Sequence, residues 1–254
     1  MVDDDDYRHD VDEPRYRKIE DMKPNELRNA LLKLELLGDD LYLRLQAVNL
    51  GLVDDFMNQL EHDLRSKMFD DDKPLELMAL VSALSQMWIF SAYELMRTWC
   101  KRAEKMITWA ENGGLKVKLD VLEQHEGYQH HGKLHRAAQI KRVLSDPAII
   151  ERVKVDLKRT KMAFMRVEAL RMILAKHEIA KKPNSVALAP GYARIDDNSG
   201  SMNYELENGQ YSMGYVSRRD IADDIRAFLS NEVPSDEDLK GFEAYMRGPR
   251  KLEL

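Results

Sequence analysis

One stretch restricts the fold more than any other. From Pro74 to about Glu111, Leu77, Leu80, Leu84, Trp88, Leu95, Trp99 and Met106 recur at the 3.6-residue period of a helix. Asn112-Gly113-Gly114 then supplies a stop. Inside it, Leu77 to Tyr93 is an uncharged run of 17 residues that includes Ser82, Ser85, Gln86 and Ser91. A membrane span needs about 20 mostly apolar residues, so the run reads as a buried helix. Trp88, Trp99 and Trp109 sit among apolar neighbours and read as core anchors.

Helical signals continue on both sides. After Pro24, the residues Leu27, Leu31, Leu34, Leu41, Leu45 and Val48 keep helical spacing, and Gly38 makes this one bent helix or two short ones. Val53 to Met68 places Phe56, Leu60 and Leu64 on a second stripe. Asp70-Asp71-Asp72-Lys73-Pro74 reads as a helix start, where carboxylates favour the N-terminal dipole. Residues 115–144 form a helical excursion rich in His and Lys. Ser145-Asp146-Pro147 opens a helix expected to run to about Ala180.

Beyond Lys181-Lys182-Pro183 the period falls to two. Short strands are expected at Val186–Leu188, Tyr192–Ile195, Met202–Leu206 and Gln210–Tyr215, with Asn208-Gly209 as a hairpin turn. Ser217 to Asp220 forms a capping box leading to Ile221, Ile225 and Leu229. The expected fold is therefore mainly α, a helical bundle with a small β-hairpin insert before the last helices. An acidic flexible arm would cover 1–23, one bundle domain 24–235 with its β insert at 186–215, and a C-terminal tail 236–254.

Apolar residues at 44% exclude a mainly disordered chain, and 12 Gly and 8 Pro exclude collagen-like and low-complexity classes. The single cysteine, Cys100, forbids an intrachain disulfide and a thiolate zinc site. The start MVDDDDYRHD lacks the basic-then-apolar pattern of a signal peptide. These features point to the cytoplasm. The net charge of −6 hides an asymmetry: from Arg97 to Pro183 there are 20 Lys and Arg against 10 Asp and Glu. A basic middle in an acidic chain suits contact with phosphates, or is a solvated face with acidic neighbours.

Phosphate-loop, dinucleotide, zinc-protease and nucleophile-elbow motifs do not occur. His125, His130, His131 and His135 cluster, and His131 and His135 are four apart. Gly127 and Gly132 weaken a helix there and no acid stands as a third ligand, so a polar connection is the expectation, with no metal and no cofactor. A quieter pair lies further on. On a wheel set at Leu157, the residues Ile150, Val153, Phe164 and Arg171 fall within about 40° of it. Arg171 thus sits near the middle of an apolar stripe, where a guanidinium needs a carboxylate, a phosphate or a partner subunit. His177 follows near the helix end. Together they could clamp a phosphate and move a proton. Alternatively Arg171 pairs with an acid such as Glu94, and His177 merely decorates the helix C-terminus.

The run Arg171-Met-Ile-Leu-Ala-Lys-His177 resembles the R-x(4–6)-H motif of the HEPN superfamily, helical proteins that include RNases of toxin–antitoxin and phage-defence systems. The resemblance covers residues 75–230 by organisation: a motif ending a long helix, a hairpin region, then a capped last helix. It implies metal-independent RNA cleavage at a site composed across a homodimer, with Arg171 on the phosphate and His177 as general acid or base. RNA would be the partner, approached by the basic segment 97–183. The family usually carries a polar residue after the arginine, where this chain has Met172. The alternative is a non-catalytic helical interaction or dimerisation protein of the same architecture.

Overall fold

The computed structural model describes residues 17–68, 74–124, 130–175, 193–208 and 211–248. The Asp70–Asp72 cap, His125, the strand at 186–188 and His177 lie outside them. Eight α-helices are present among the described residues: α1 (Glu26–Leu32), α2 (Leu41–Met68), α3 (Leu75–Glu111), α4 (Gly114–Glu123), α5 (His131–Ser145), α6 (Ala148–Ala175), α7 (Arg218–Arg226) and α8 (Asp236–Arg247). Three strands, β1 (Ala193–Ile195), β2 (Met202–Asn208) and β3 (Tyr211–Ser217), precede α7. The architecture is a helical bundle with a small antiparallel sheet before the final helices.

The central helix α3 packs along α2 on one side and α6 on the other. Trp88 and Trp99 anchor it, and their indole N–H groups donate to the carbonyls of Leu50 (3.2 Å) and Glu35 (2.8 Å). The larger apolar cluster gathers α1, α2, the first two-thirds of α3, the end of α6, the sheet and α7. A second one joins the far end of α3 to α4, α5 and the start of α6. Trp109 is only half-buried at the rim of this second cluster, where Lys118 and Arg136 lie over its ring.

Gly38 sits in a turn that separates α1 from α2, resolving the bent-helix alternative in favour of two helices. Asp40 caps α2 by accepting the N–H groups of Tyr42 and Leu43. Asp146 caps α6, accepting the N–H of Ala148 at 3.2 Å. Both sides of the Ser217–Asp220 capping box are formed on α7.

In the sheet, order β1-β2-β3, Tyr204 pairs with Ala193 on one side and with Val216 on the other. Met202, Tyr204, Leu206 and Val216 point into the main core. The β1–β2 turn rests on α2. Arg65 donates to the Asp197 carbonyl at 3.0 Å. Gly200, at φ +73°, approaches so closely that a Cβ there would lie 2.0 Å from the Glu61 carbonyl oxygen.

Three expectations change. Residues 236–247 are not a tail: α8 is a capped helix against α6, and its Tyr245 hydroxyl donates to the Met213 carbonyl at 2.6 Å. The last residues of the acidic arm are bound, because Arg17 pairs with Glu26 at 3.0 Å and its carbonyl accepts from Arg219. On α2 the expected stripe is reversed at Leu41, Leu45 and Phe56 and kept at Leu64, with Leu60 packed against the core. The buried residues are Leu43, Ala47, Leu50, Asp54, Met57, Asn58, Glu61 and Leu64, while Leu41, Leu45 and Phe56 face outward. Polar residues take part of the buried face, so apolar spacing alone selects the wrong side of α2 as far as Phe56.

Candidate functional site

Arg171 lies on α6 at the edge of the buried face, not in its middle. The buried line runs through Ile149, Val153, Asp156, Thr160, Ala163, Val167, Leu170 and Leu174, leaving Leu157, Phe164 and Arg171 half-buried beside it. Asp156 can lie on that line because its carboxylate accepts the Glu35 backbone N–H at 2.9 Å. Burial nonetheless pushes the Asp156 carboxyl above its ordinary value. The Arg171 guanidinium lies over the Tyr93 ring, 5.0 Å from its centroid, and Phe164 stacks against the same ring at 6.0 Å. Glu94, the acid the sequence suggested for Arg171, instead accepts from Arg97 at 2.5 Å. His177 lies outside the described residues, so Arg171 is the described half of the expected pair.

Part of the basic segment is neutralised within the fold. Lys154 reaches Glu111 and Glu151, Lys158 reaches Asp236 at 2.7 Å, and Lys161 reaches Glu243 at 3.6 Å. Arg166 pairs with Asp224 at 2.7 Å and lies over the Phe242 ring. Arg142 and Arg152 share Glu35. The acids of α8 thus cover two cations of α6, Lys158 and Lys161.

Within the histidine cluster, His130 takes a local role. His130 caps α5 through its ring, accepting the Gly132 N–H at 3.1 Å, and stacks on Tyr42 at 6.2 Å. Among the described residues no group of three His, Cys, Asp or Glu side chains could hold a metal ion.

Sequence reasoning missed the strongest polar arrangement, a buried clamp between α2 and α7. Arg218, with no solvent exposure, forks onto Glu61 with two bonds of 2.8 and 2.7 Å. It also donates to Asn58 at 2.8 Å and to Asp54, and lies over the Trp88 ring at 5.4 Å. Arg226 reaches Asp54 from the other side and Asp223 at 2.5 Å. Arg219 donates to Asn58 at 3.0 Å. Burial works against the Arg218 charge, but Glu61 and Asp54 outweigh it and raise its pKa overall. Burial lowers that of Arg219. The three arginines meet three carboxylates, Asp54, Glu61 and Asp223, so the clamp is balanced and serves to fix α7 on α2. Its only sequence trace is the i, i+4, i+7 spacing of Asp54, Asn58 and Glu61 opposite the Arg218-Arg219 pair.

With its polar face inward, α2 turns its second apolar stripe to solvent. Leu41, Leu45, Val48, Leu52 and Phe56 follow one another at spacings of 4, 3, 4 and 4, and Leu45, Leu52 and Phe56 are 57%, 55% and 55% exposed. On α3, which packs along α2, Leu80 and Met87 are exposed as well, Met87 at 65%. The uncharged run Leu77–Tyr93 is therefore buried on one face only: Val81, Ser85, Trp88, Ile89 and Ala92 pack inward while Leu80, Ala83 and Met87 do not. By length and composition alone, α3 would also suffice to cross a membrane. Val53 of α2 is 39% exposed. Both packed helices thus carry exposed apolar side chains. No protein-family model, curated protein or solved structure matches this chain.

Proposed function

We propose that this chain is a non-catalytic helical interaction protein that docks through the outward face of α2 and α3. The observation that carries the reading is the outward apolar stripe of α2, together with the exposed Leu80 and Met87 on its neighbour α3. Single exposed apolar side chains need no explanation, but a contiguous apolar patch beyond a few hundred Å² marks a contact surface. The fold also holds these helices firmly from behind, through Trp88 and the Arg218 clamp. A rigid backing lets a surface helix bind without ordering itself at the moment of contact.

A photo-crosslinking residue at position 52 or 87 of the full chain, irradiated in cells, tests this. Adducts formed at these positions and not at exposed Lys67 support docking. Absence of any protein adduct at either position removes the reading.

A second reading, the metal-independent ribonuclease, retains one favourable observation. Arg171 rests on an aromatic ring while Glu94 is engaged with Arg97, so the carboxylate that would have occupied Arg171 is used elsewhere. Incubating wild type and the Arg171→Ala and His177→Ala variants with total and transfer RNA in EDTA decides it. Cleavage by wild type alone, leaving 2′,3′-cyclic phosphate ends, supports catalysis by both residues. Intact RNA in every sample sinks it.

A further inference from the structure

We infer that the occupant of the α2–α3 face is a second copy of this chain, packed about a two-fold axis passing near Val48 and Leu52. The inference rests on the docking reading above and names its partner. Three properties of the face support it: size, spacing and charge.

The outward parts of Leu41, Leu45, Leu52, Val53, Phe56, Leu80 and Met87 amount to an area on the order of 700 Å² per protomer, close to the ~800 Å² per partner of a standard stable interface.

The spacing suits a helix partner. Leu41, Leu45, Val48 and Leu52 alternate steps of four and three, the seam that lets two helices run side by side with interlocking side chains. An antiparallel copy of α2 sets Val48 opposite Leu52 and Leu45 opposite Phe56, each pair occurring twice by symmetry. The α3 helices flank this seam with Leu80 and Met87, so the two hairpins close into a four-helix arrangement.

The charges are self-complementary in that register. The only charged residue between Leu41 and Val53 is the exposed Arg44. Asp55, half-buried, lies on the same flank of the helix, and one of its oxygens accepts the Asn25 N–H at 3.0 Å. A two-fold axis at Val48–Leu52 brings Arg44 of one copy to Asp55 of the other, twice. A lipid surface would instead call for basic flanks, and α2 and the adjoining part of α3 carry Asp55, Asp63, Glu76 and Glu94 alongside Arg44, Arg65, Lys67 and Arg97, with no excess of bases.

Sedimentation equilibrium of the full chain, from about 1 to about 100 µM, reads the association. Wild type is expected at twice the chain mass over most of that range. Leu52→Glu and Met87→Glu both alter outward side chains and should fold, as circular dichroism would check. Each should weaken association at least about tenfold. Arg44→Glu should weaken it by setting acid against acid, and Arg44→Glu/Asp55→Lys should recover part of the loss. A wild-type monomer throughout, or a dimer indifferent to Leu52→Glu and Met87→Glu, overturns the inference.

The crosslinking experiment separates this failure from that of the docking reading. Self-adducts at position 87 support the second copy. Foreign adducts with a monomeric protein overturn it and leave docking standing, and no adducts at all remove both.

Discussion

Arg218 shows at the residue scale how this chain tolerates charge in its interior. Its guanidinium has no exposure, yet four of its hydrogen bonds end on Glu61, Asn58 and Asp54. Removing one member leaves the others buried and uncompensated, which costs about 3–5 kcal/mol, whereas the intact network contributes far less than that in net stability. Arg218→Met should therefore lower the unfolding free energy by about 3–5 kcal/mol in urea titration. A loss under about 1 kcal/mol would mean that Glu61 and Asp54 are solvated. Cys100 presents the opposite case, a group kept neutral. Burial is the main cause that pushes its thiol up from 9.0 to about 12. Only the thiolate reacts, so native labelling by a disulfide reagent at pH 8 should run on the order of a thousandfold slower than in the unfolded chain. The rate should climb about tenfold per pH unit, since the ionised fraction does. Because the folded pKa is the higher one, this thiol's contribution to stability is complete below about pH 9 and is lost as pH rises toward 12. Fast labelling at pH 8 with the fold intact would contradict the burial.

Elements whose signals are local were legible from spacing. The bounds of α3, the Ser217–Asp220 capping box and the Asp146 start of α6 all follow from neighbours within one turn. What spacing could not reveal was which face turns inward when polar residues belong to the core. Asp54, Asn58 and Glu61 lie on the buried side of α2 because Arg218, more than 150 residues away in the chain, meets them there. Asp156 on α6 likewise shifts the buried line past Arg171, through a bond to Glu35. For the same reason the outward stripe of α2 read as core. A long-range ion pair leaves no periodic trace, and a stripe seen in one sequence carries no sign of what covers it. Contact between elements also dictates Gly200, where the β1–β2 turn meets α2. A side chain there faces both a positive φ and the Glu61 carbonyl at 2.0 Å. Gly200→Ala should cost about 3 kcal/mol. Far-UV circular dichroism should show α2 intact while the melting temperature drops, and an unchanged melt would mean that the turn does not press on α2.

At the scale of the whole molecule, two apolar clusters could in principle unfold as two units. The helices argue otherwise. At 37 residues, α3 is about 55 Å long, and it contributes Trp88 and Trp99 to one cluster and Ala103 and Met106 to the other without interruption. A second tie is α6, which places Ile150 and Val153 in the far cluster and Val167 and Leu170 in the main one, with Leu157 touching both. Melting one cluster would strip partners from half of each shared helix, and a helix without its packed face is only marginally stable in water. The two clusters should therefore unfold in one cooperative step. The tryptophans allow a direct test, because Trp109 reports the rim of the far cluster while Trp88 and Trp99 report the main one. In a Trp88→Phe/Trp99→Phe variant, Trp109 fluorescence should follow the same urea midpoint as far-UV circular dichroism. If Trp109 moved first, with the helical signal retained, α3 would be uncoupled at its Glu111 end and the far cluster would be a separate unit.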